Sequence, residues 1–237
     1  MSLWIKICGT TSVEDALLAC EAGASAVGFV FASSPRQVTP AEAAAITQHL
    51  PAEVEKIGVF VDTPLQEIYS AVRTCGLTGV QLHFEAGHDM PARLRELLGP
   101  SLRILRVVHF SPAAAHQVSV IDRDPHVDAV LVDSRTGAAP GGTGIPFDWE
   151  AARVSVFQSE HGHRRIAAGG LNPENVAEAV AKLRPWGVDA VSGVEAEPGR
   201  KDRFKLLEFI RNARATADAP ELVKHAQSET RQTRATH

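Results

Sequence analysis

Short apolar runs alternate with longer amphipathic stretches along the chain, and polar residues gather where each apolar run ends. The first run, Leu3-Trp4-Ile5-Lys6-Ile7, breaks at Cys8-Gly9 and gives way to a helical stretch after Ser12. Ser12 followed three residues later by Asp15 has the form of a short-armed capping box. The pattern then repeats, with predicted strands at residues 26–31, 56–61, 79–83, 102–107, 127–132, 165–167 and 187–191. Helices are predicted after Thr39-Pro40, near Pro64, from about Met90, at Pro112, after Asp148-Trp149, at Asn172-Pro173 and over residues 204–213. The strands are nearly continuous apolar sequence, as expected of parallel strands covered on both faces.

Eight strand-helix units in 237 residues predict an α/β chain folded as a single (β/α)8 TIM barrel over residues 1–214, with its functional groups at the carboxyl ends of the strands. A doubly wound open sheet is the alternative, but neither Gly9 nor Gly141 begins the GxGxxG spacing of a dinucleotide site. Residues 215–237 are mostly small, polar or charged and are expected to form a flexible tail.

Composition narrows the setting. A hydrophobic fraction of 44% suits a packed core, and 24 basic against 28 acidic side chains, intermixed, give no cationic footprint for nucleic acid. No apolar run reaches spanning length and no charged segment leads into one, so neither a membrane nor a secretory partner is expected and the cytoplasm is the expected compartment. Cys8, Cys20 and Cys75 are an odd set without metal-finger spacing, which argues against a disulfide framework. Cys20 and Cys75 fall within predicted helices and read as buried thiols.

The strand ends carry the candidate chemistry. Cys8 and Asp133 end the first and sixth strands; a thiolate can remove a proton and an undissociated carboxyl can donate one, so together they suit base and acid on two sides of a small substrate. Lys6 shares the parity of Cys8, either favouring the thiolate or serving as a satisfied core charge. Arg36 offers a planar donor fork to a substrate carboxylate, unless it is a solvated surface charge. Gln81 and His83 on the fourth strand, Arg106 near the end of the fifth and Asp189 near the end of the eighth are further candidates to line a pocket. Gly169-Gly170 and Ser192-Gly193 follow the seventh and eighth strands, neighbours in a barrel, and their backbone donors suit a phosphate, although such glycines also serve tight turns. Cys8, His83 and Asp133 are dispersed and make a poor zinc signature, so no metal and no cofactor is expected.

These residues, taken in order, resemble phosphoribosylanthranilate isomerases of tryptophan biosynthesis. The likeness runs from about residue 3 to residue 211 and is carried by Lys6-Ile7-Cys8-Gly9, Gly28-Phe29-Val30-Phe31 with Ser34-Pro35-Arg36, Val59-Phe60-Val61 and Val80-Gln81-Leu82-His83. It continues through Leu131-Val132-Asp133-Ser134, Gly141-Gly142-Thr143-Gly144 with Phe147-Asp148-Trp149, Ala168-Gly169-Gly170-Leu171 and Ser192-Gly193-Val194-Glu195. The resemblance implies Cys8 as general base, Asp133 as general acid, Arg36 on the anthranilate carboxylate, and phosphate held by backbone around Gly142, Gly169-Gly170 and Ser192-Gly193. It implies an Amadori rearrangement of a small phosphoribosyl substrate, with the oligomeric state left open and a monomer sufficient. Phe84 and Val191 stand where this family commonly has glycine and serine. A related histidine-pathway isomerase would be expected to use two aspartates, whereas Cys8 holds the first strand end. A catalytically silent phosphoribosyl-binding protein is the other alternative.

Overall fold

In the computed structural model of the chain, which describes residues 2–83, 87, 89–133, 149–158 and 162–219, eight parallel strands close into a barrel. Each strand pairs with the next in sequence, and the eighth returns to the first. The strands are β1 (Trp4–Ile7), β2 (Ala26–Val30), β3 (Glu55–Phe60), β4 (Gly79–Leu82), β5 (Arg103–His109), β6 (Ala129–Asp133), β7 (Arg164–Ala168) and β8 (Gly187–Ala190). The surrounding helices are α1 (Val13–Glu21), α2 (Pro40–Thr47), α3 (Leu65–Cys75), α4 (Met90–Leu98), α5 (Ala114–Ile121), α6 (Trp149–Ala152), α7 (Val176–Leu183) and α8 (Arg203–Ala217). A π-helical turn, Arg153–Phe157, extends α6, and a 3-10 turn, Ser192–Val194, follows β8. Two short antiparallel strands, β9 (Glu195–Glu197) and β10 (Arg200–Lys201), then lead into α8. Residues 220–237, including most of the expected tail, lie outside the described residues.

The alternation of each strand sorts its side chains into two cores. Trp4, Ala26, Ile57, Leu105, Val107, Ala129, Leu131, Ile166 and Ala168 fill the barrel interior. Residues of the other parity, such as Ile5, Ile7, Phe29, Val80 and Ile104, pack outward against the helices. Val108, Val130 and Val132 do the same against Ala114, Val118 and Ile121 of α5. Each fully buried aliphatic or aromatic side chain contributes about 1.5–3 kcal/mol. At the amino-terminal mouth Trp4 stacks on Trp186 with ring centroids 5.2 Å apart. Toward the carboxyl ends the inward positions turn polar, and Lys6, Gln81, Asp133 and Asp189 are all buried.

The strand ends differ from the sequence pattern in ways that matter for the site. β5 continues two residues past Val107, because His109 finds a ladder partner in Asp133. β6 starts at Ala129, two residues late, and takes in Asp133. Thr39 makes a full capping box with Glu42, its side chain accepting from the Glu42 N–H while the Glu42 carboxylate accepts from the Thr39 N–H. The box at Ser12 is half made: Ser12 Oγ accepts from the Asp15 N–H at 3.2 Å, but the Asp15 carboxylate turns away to accept from the Lys201 N–H. Cys75 is buried as expected, whereas Cys20 is only half-buried; both thiols and Cys8 are free. Among the described residues, no helix is long and apolar enough to cross a membrane.

Candidate active site

Cys8 leaves the end of β1 with its N–H donated to Ala190 O at 2.9 Å, and its side chain is buried. A methyl group at Gly28 of β2 would stand 2.6 Å from Cys8 Sγ, so the bare backbone there makes the space the sulfur fills. Lys6 and Asp189 are register partners across β1 and β8, and Lys6 Nζ lies 2.8 Å from Asp189 Oδ1, off the axis of a well-formed hydrogen bond. Burial, the largest influence on Lys6, works against its charge, but Asp189 and then Cys8 outweigh it and hold the ammonium above the ordinary lysine value. Burial likewise dominates Cys8 and pushes the thiol up; Lys6 pulls it down, Asp189 pushes it up, and Lys201 pulls it down more weakly. Burial thus favours the neutral thiol, next to the cation that would stabilise its thiolate.

Asp133 closes β6, three strands round the barrel from β1 through β8 and β7, and is buried on the inward parity of Ala129 and Leu131. Gln81 faces the same interior from β4, in register with Val59 and Leu105. His83 follows β4, and its ring lies 5.8 Å from that of His109, centroid to centroid. Arg106 is not brought to this group by its strand position. It stands on the outward parity of Ile104 and Val108, three residues short of the observed end of β5. His109 occupies the inward strand end instead, and a strand two residues longer than the apolar run is the signal that would have found it.

Arg36 is fixed by a carboxylate already present. Its Nε donates to Glu195 Oε1 at 2.9 Å and its Nη2 to Glu195 Oε2 at 2.6 Å. Its own backbone N–H donates to Ser34 Oγ at 3.1 Å, which holds the loop after β2. Lys201, fully buried, donates from Nζ to Glu195 Oε1 at 3.0 Å and to the Cys8 carbonyl at 2.6 Å. Burial is the largest single influence on Glu195 and opposes its charge, yet Arg36 and Lys201 together hold its carboxyl below the usual range. Burial prevails at Lys201, whose ammonium is lowered despite Glu195.

The turns after β7 and β8 are neighbours. A methyl group at Gly193 would stand 2.0 Å from Leu171 O, so the two backbones touch where no side chain fits. Gly169 and Gly170 have φ of 85° and 66° in succession, a conformation that favours glycine. Asn172 and Asn175 lock this turn, Asn175 Oδ1 accepting from the Asn172 N–H at 2.8 Å and Asn172 Oδ1 accepting from the Asn175 N–H at 3.0 Å. Gly170 and Ser192 are exposed at the surface of the mouth, and Gly193 is half-buried. Gly142, Ser134 and Phe84 lie outside the described residues.

Comparison with known proteins matches residues 5–212 to the model of the N-(5'-phosphoribosyl)anthranilate (PRA) isomerase family. The isomerase of Pelobacter propionicus is 43% identical over 213 residues, covering 90% of this chain and 96% of that protein. The crystal structure of phosphoribosyl anthranilate isomerase from Thermotoga maritima superposes with a TM-score of 0.79 at 34% identity, covering 90% of this chain and 99% of that one. A further structure of such an isomerase, in complex with reduced 1-(o-carboxyphenylamino)-1-deoxyribulose 5-phosphate, has a TM-score of 0.75 at 33% identity, covering 90% and 99%. With a closed eight-stranded barrel, residues 5–212 matched by the family model and a 43% identical relative along 90% of its length, this chain belongs to the N-(5'-phosphoribosyl)anthranilate isomerase family.

Proposed function

We propose that Cys8 and Asp133 are the base and acid with which this isomerase converts N-(5-phosphoribosyl)anthranilate to 1-(2-carboxyphenylamino)-1-deoxyribulose 5-phosphate. Asp133 gives its proton to the ribose ring oxygen as the C1–O bond breaks, and the anilino nitrogen supplies electrons to form a C1=N iminium. That cation acidifies C2, and the Cys8 thiolate removes the C2 proton. The electron pair left behind forms an enolamine, which gains a proton at C1 and loses the hydroxyl proton at C2 to become the ketone. The net change moves one hydrogen from C2 to C1, while the ring oxygen, freed as the C4 hydroxyl, gains a proton in place of the one the C2 hydroxyl loses, which restores Asp133.

Arg36 receives the anthranilate carboxylate and the paired glycine turns receive the phosphate, with Gly142 contributing from the connection after β6. Lys6 stabilises the Cys8 thiolate, Asp189 orients Lys6, and Gln81 and His83 line the sugar. Arg106, in register with Leu82 of β4, stands on the outward parity of β5. Holding both anionic ends of the substrate keeps the reacting atoms aligned, a source of several kcal/mol of barrier reduction. A single copy of the chain carries all of these groups, and the three free thiols suit a reducing cytoplasm.

The observation that carries this reading is the placement of a buried thiol and a buried carboxyl on β1 and β6, with two touching glycine turns on β7 and β8 between them. The test is fluorescence-monitored turnover of freshly generated phosphoribosylanthranilate by the wild type, Cys8→Ala and Asp133→Asn. Each substitution is expected to lower kcat by about 10²–10⁴-fold with the fold intact by circular dichroism. Near-wild-type turnover in either folded variant removes the role assigned to that residue, and binding without product formation by the wild type removes the reading as a whole.

A further inference from the structure

Glu195 and Lys201 carry charge into the mouth of the barrel without belonging to the proton transfers just described. The Glu195 side chain is 3% exposed and that of Lys201 0%. Glu195 takes two donors from Arg36, one from Lys201 and, at 3.3 Å, the Gly199 N–H. Lys201 also reaches the carbonyl of Cys8. The hairpin that bears both residues is tied to the loop after β1 a second time, by Thr11 Oγ1 donating to Gly199 O at 2.6 Å, and to α1 by the Asp15 carboxylate on the Lys201 N–H. The loops after β1, β2 and β8 thus meet on a single buried carboxylate.

An ion pair buried this deeply loses its hydration on folding, and well-packed apolar residues would often serve stability as well. The arrangement instead fixes geometry. Glu195 occupies the Nε and Nη2 edge of Arg36, and among the described residues the Nη1 side has no partner. A guanidinium on a flexible arm is thereby held in one orientation with one face left for a second carboxylate. Through Lys201 the same anchor grips the peptide that carries the Cys8 thiol.

We propose that Glu195, with Lys201, is a positioning residue that presents the free side of Arg36 to the substrate carboxylate and holds it in register with the Cys8 turn. This rests on the assignment of Arg36 as the carboxylate's partner. A double-mutant cycle separates the two claims: wild type, Glu195→Gln, Arg36→Met and the double variant, with kcat and KM measured on phosphoribosylanthranilate. Glu195→Gln is expected to raise KM about tenfold, the scale of one charge-assisted hydrogen bond, with kcat changed much less. In the Arg36→Met background the same substitution should change KM less than about twofold, because the group through which it acts is gone.

An equal tenfold rise in both backgrounds would show that Glu195 acts independently of Arg36 and would overturn the proposal while leaving the arginine's role standing. A KM lowered by Glu195→Gln would mean that the carboxylate competes with the substrate for the arginine, and overturns it equally. An unchanged KM in Arg36→Met removes both the arginine's role and the inference built on it. Should Glu195→Gln fail to fold, Glu195→Asp in the same cycle keeps the charge and withdraws it by one methylene, with the same expected non-additivity.

Discussion

At the scale of single residues the question is how a thiol whose pKa burial raises could serve as the proposed base. The groups facing Cys8 are Lys6, Asp189 and Lys201, and burial outweighs the help of the two cations. With Cys8 as the proposed base, kcat/KM is expected to rise with pH through the thiol's pKa in the free enzyme. Because that pKa is raised, the midpoint of the ascending limb is expected above the ordinary thiol value of ~8.5. The rate of alkylation of Cys8 in a Cys20→Ser, Cys75→Ser background should follow the same curve. A limb centred well below the ordinary value would exclude Cys8 as the titrating base in this environment. The strand-end positions of Cys8 and Asp133 were legible from the apolar runs they close, and both side chains are buried there. Arg106 falls on the outward parity of β5, whose inward terminus is His109, two residues beyond the apolar run that the sequence shows. Glu195 and Lys201 were illegible as a pair with Arg36, since the contacts join loops 159 residues apart in the chain.

The elements follow the sequence wherever local chemistry alone decides them. Thr39-Pro40 with Glu42 announced a helix start, and the structure closes the reciprocal box there. Both groups are exposed and bond to each other rather than to Arg36 three residues earlier, so Thr39→Ala is expected to cost about 1 kcal/mol of stability, read by urea unfolding, with kcat and KM unchanged. A loss under about 0.3 kcal/mol would mean that the proline and α2's packing set this helix end without the cap. The parallel strands were legible from their apolar runs, but β9 and β10, three and two residues long, are too short to have a period. They form because the chain between β8 and α8 must turn back over the mouth, where Lys201 finds Asp15, Glu195 and the Cys8 carbonyl. Tertiary contacts create that hairpin, and the half-made box at Ser12 is the same effect seen from α1: Asp15 gave up its local partner for a distant one.

Taken whole, the barrel divides its two mouths between two tasks. Charged and polar groups with chemical reach collect at the carboxyl ends, while the amino-terminal mouth is closed by Trp4 and Trp186. Arg103 lies 5.5 Å and Arg164 4.8 Å from the centre of the Trp186 ring, and Arg103 is itself held by Glu55 in a two-pronged pair at 2.6 and 2.8 Å. That plug joins β1, β3, β5, β7 and the entry to β8, so it ties the ends of the ladder that closes the ring. Trp186→Ala removes the stacked ring and both cation contacts without touching any group at the opposite mouth. We expect it to destabilise the protein by about 2–4 kcal/mol, measured by chemical unfolding, because the stack and its packing are lost together. At a temperature where the variant remains folded, kcat/KM should stay within about twofold of the wild type, since conservation of geometry at one mouth does not require the plug at the other. A variant of wild-type stability would show that Trp4 alone seals the barrel. A folded variant with kcat/KM reduced more than about tenfold would show instead that Trp4, released from its partner, transmits disorder along β1 to Lys6 and Cys8, and that the two ends are mechanically one.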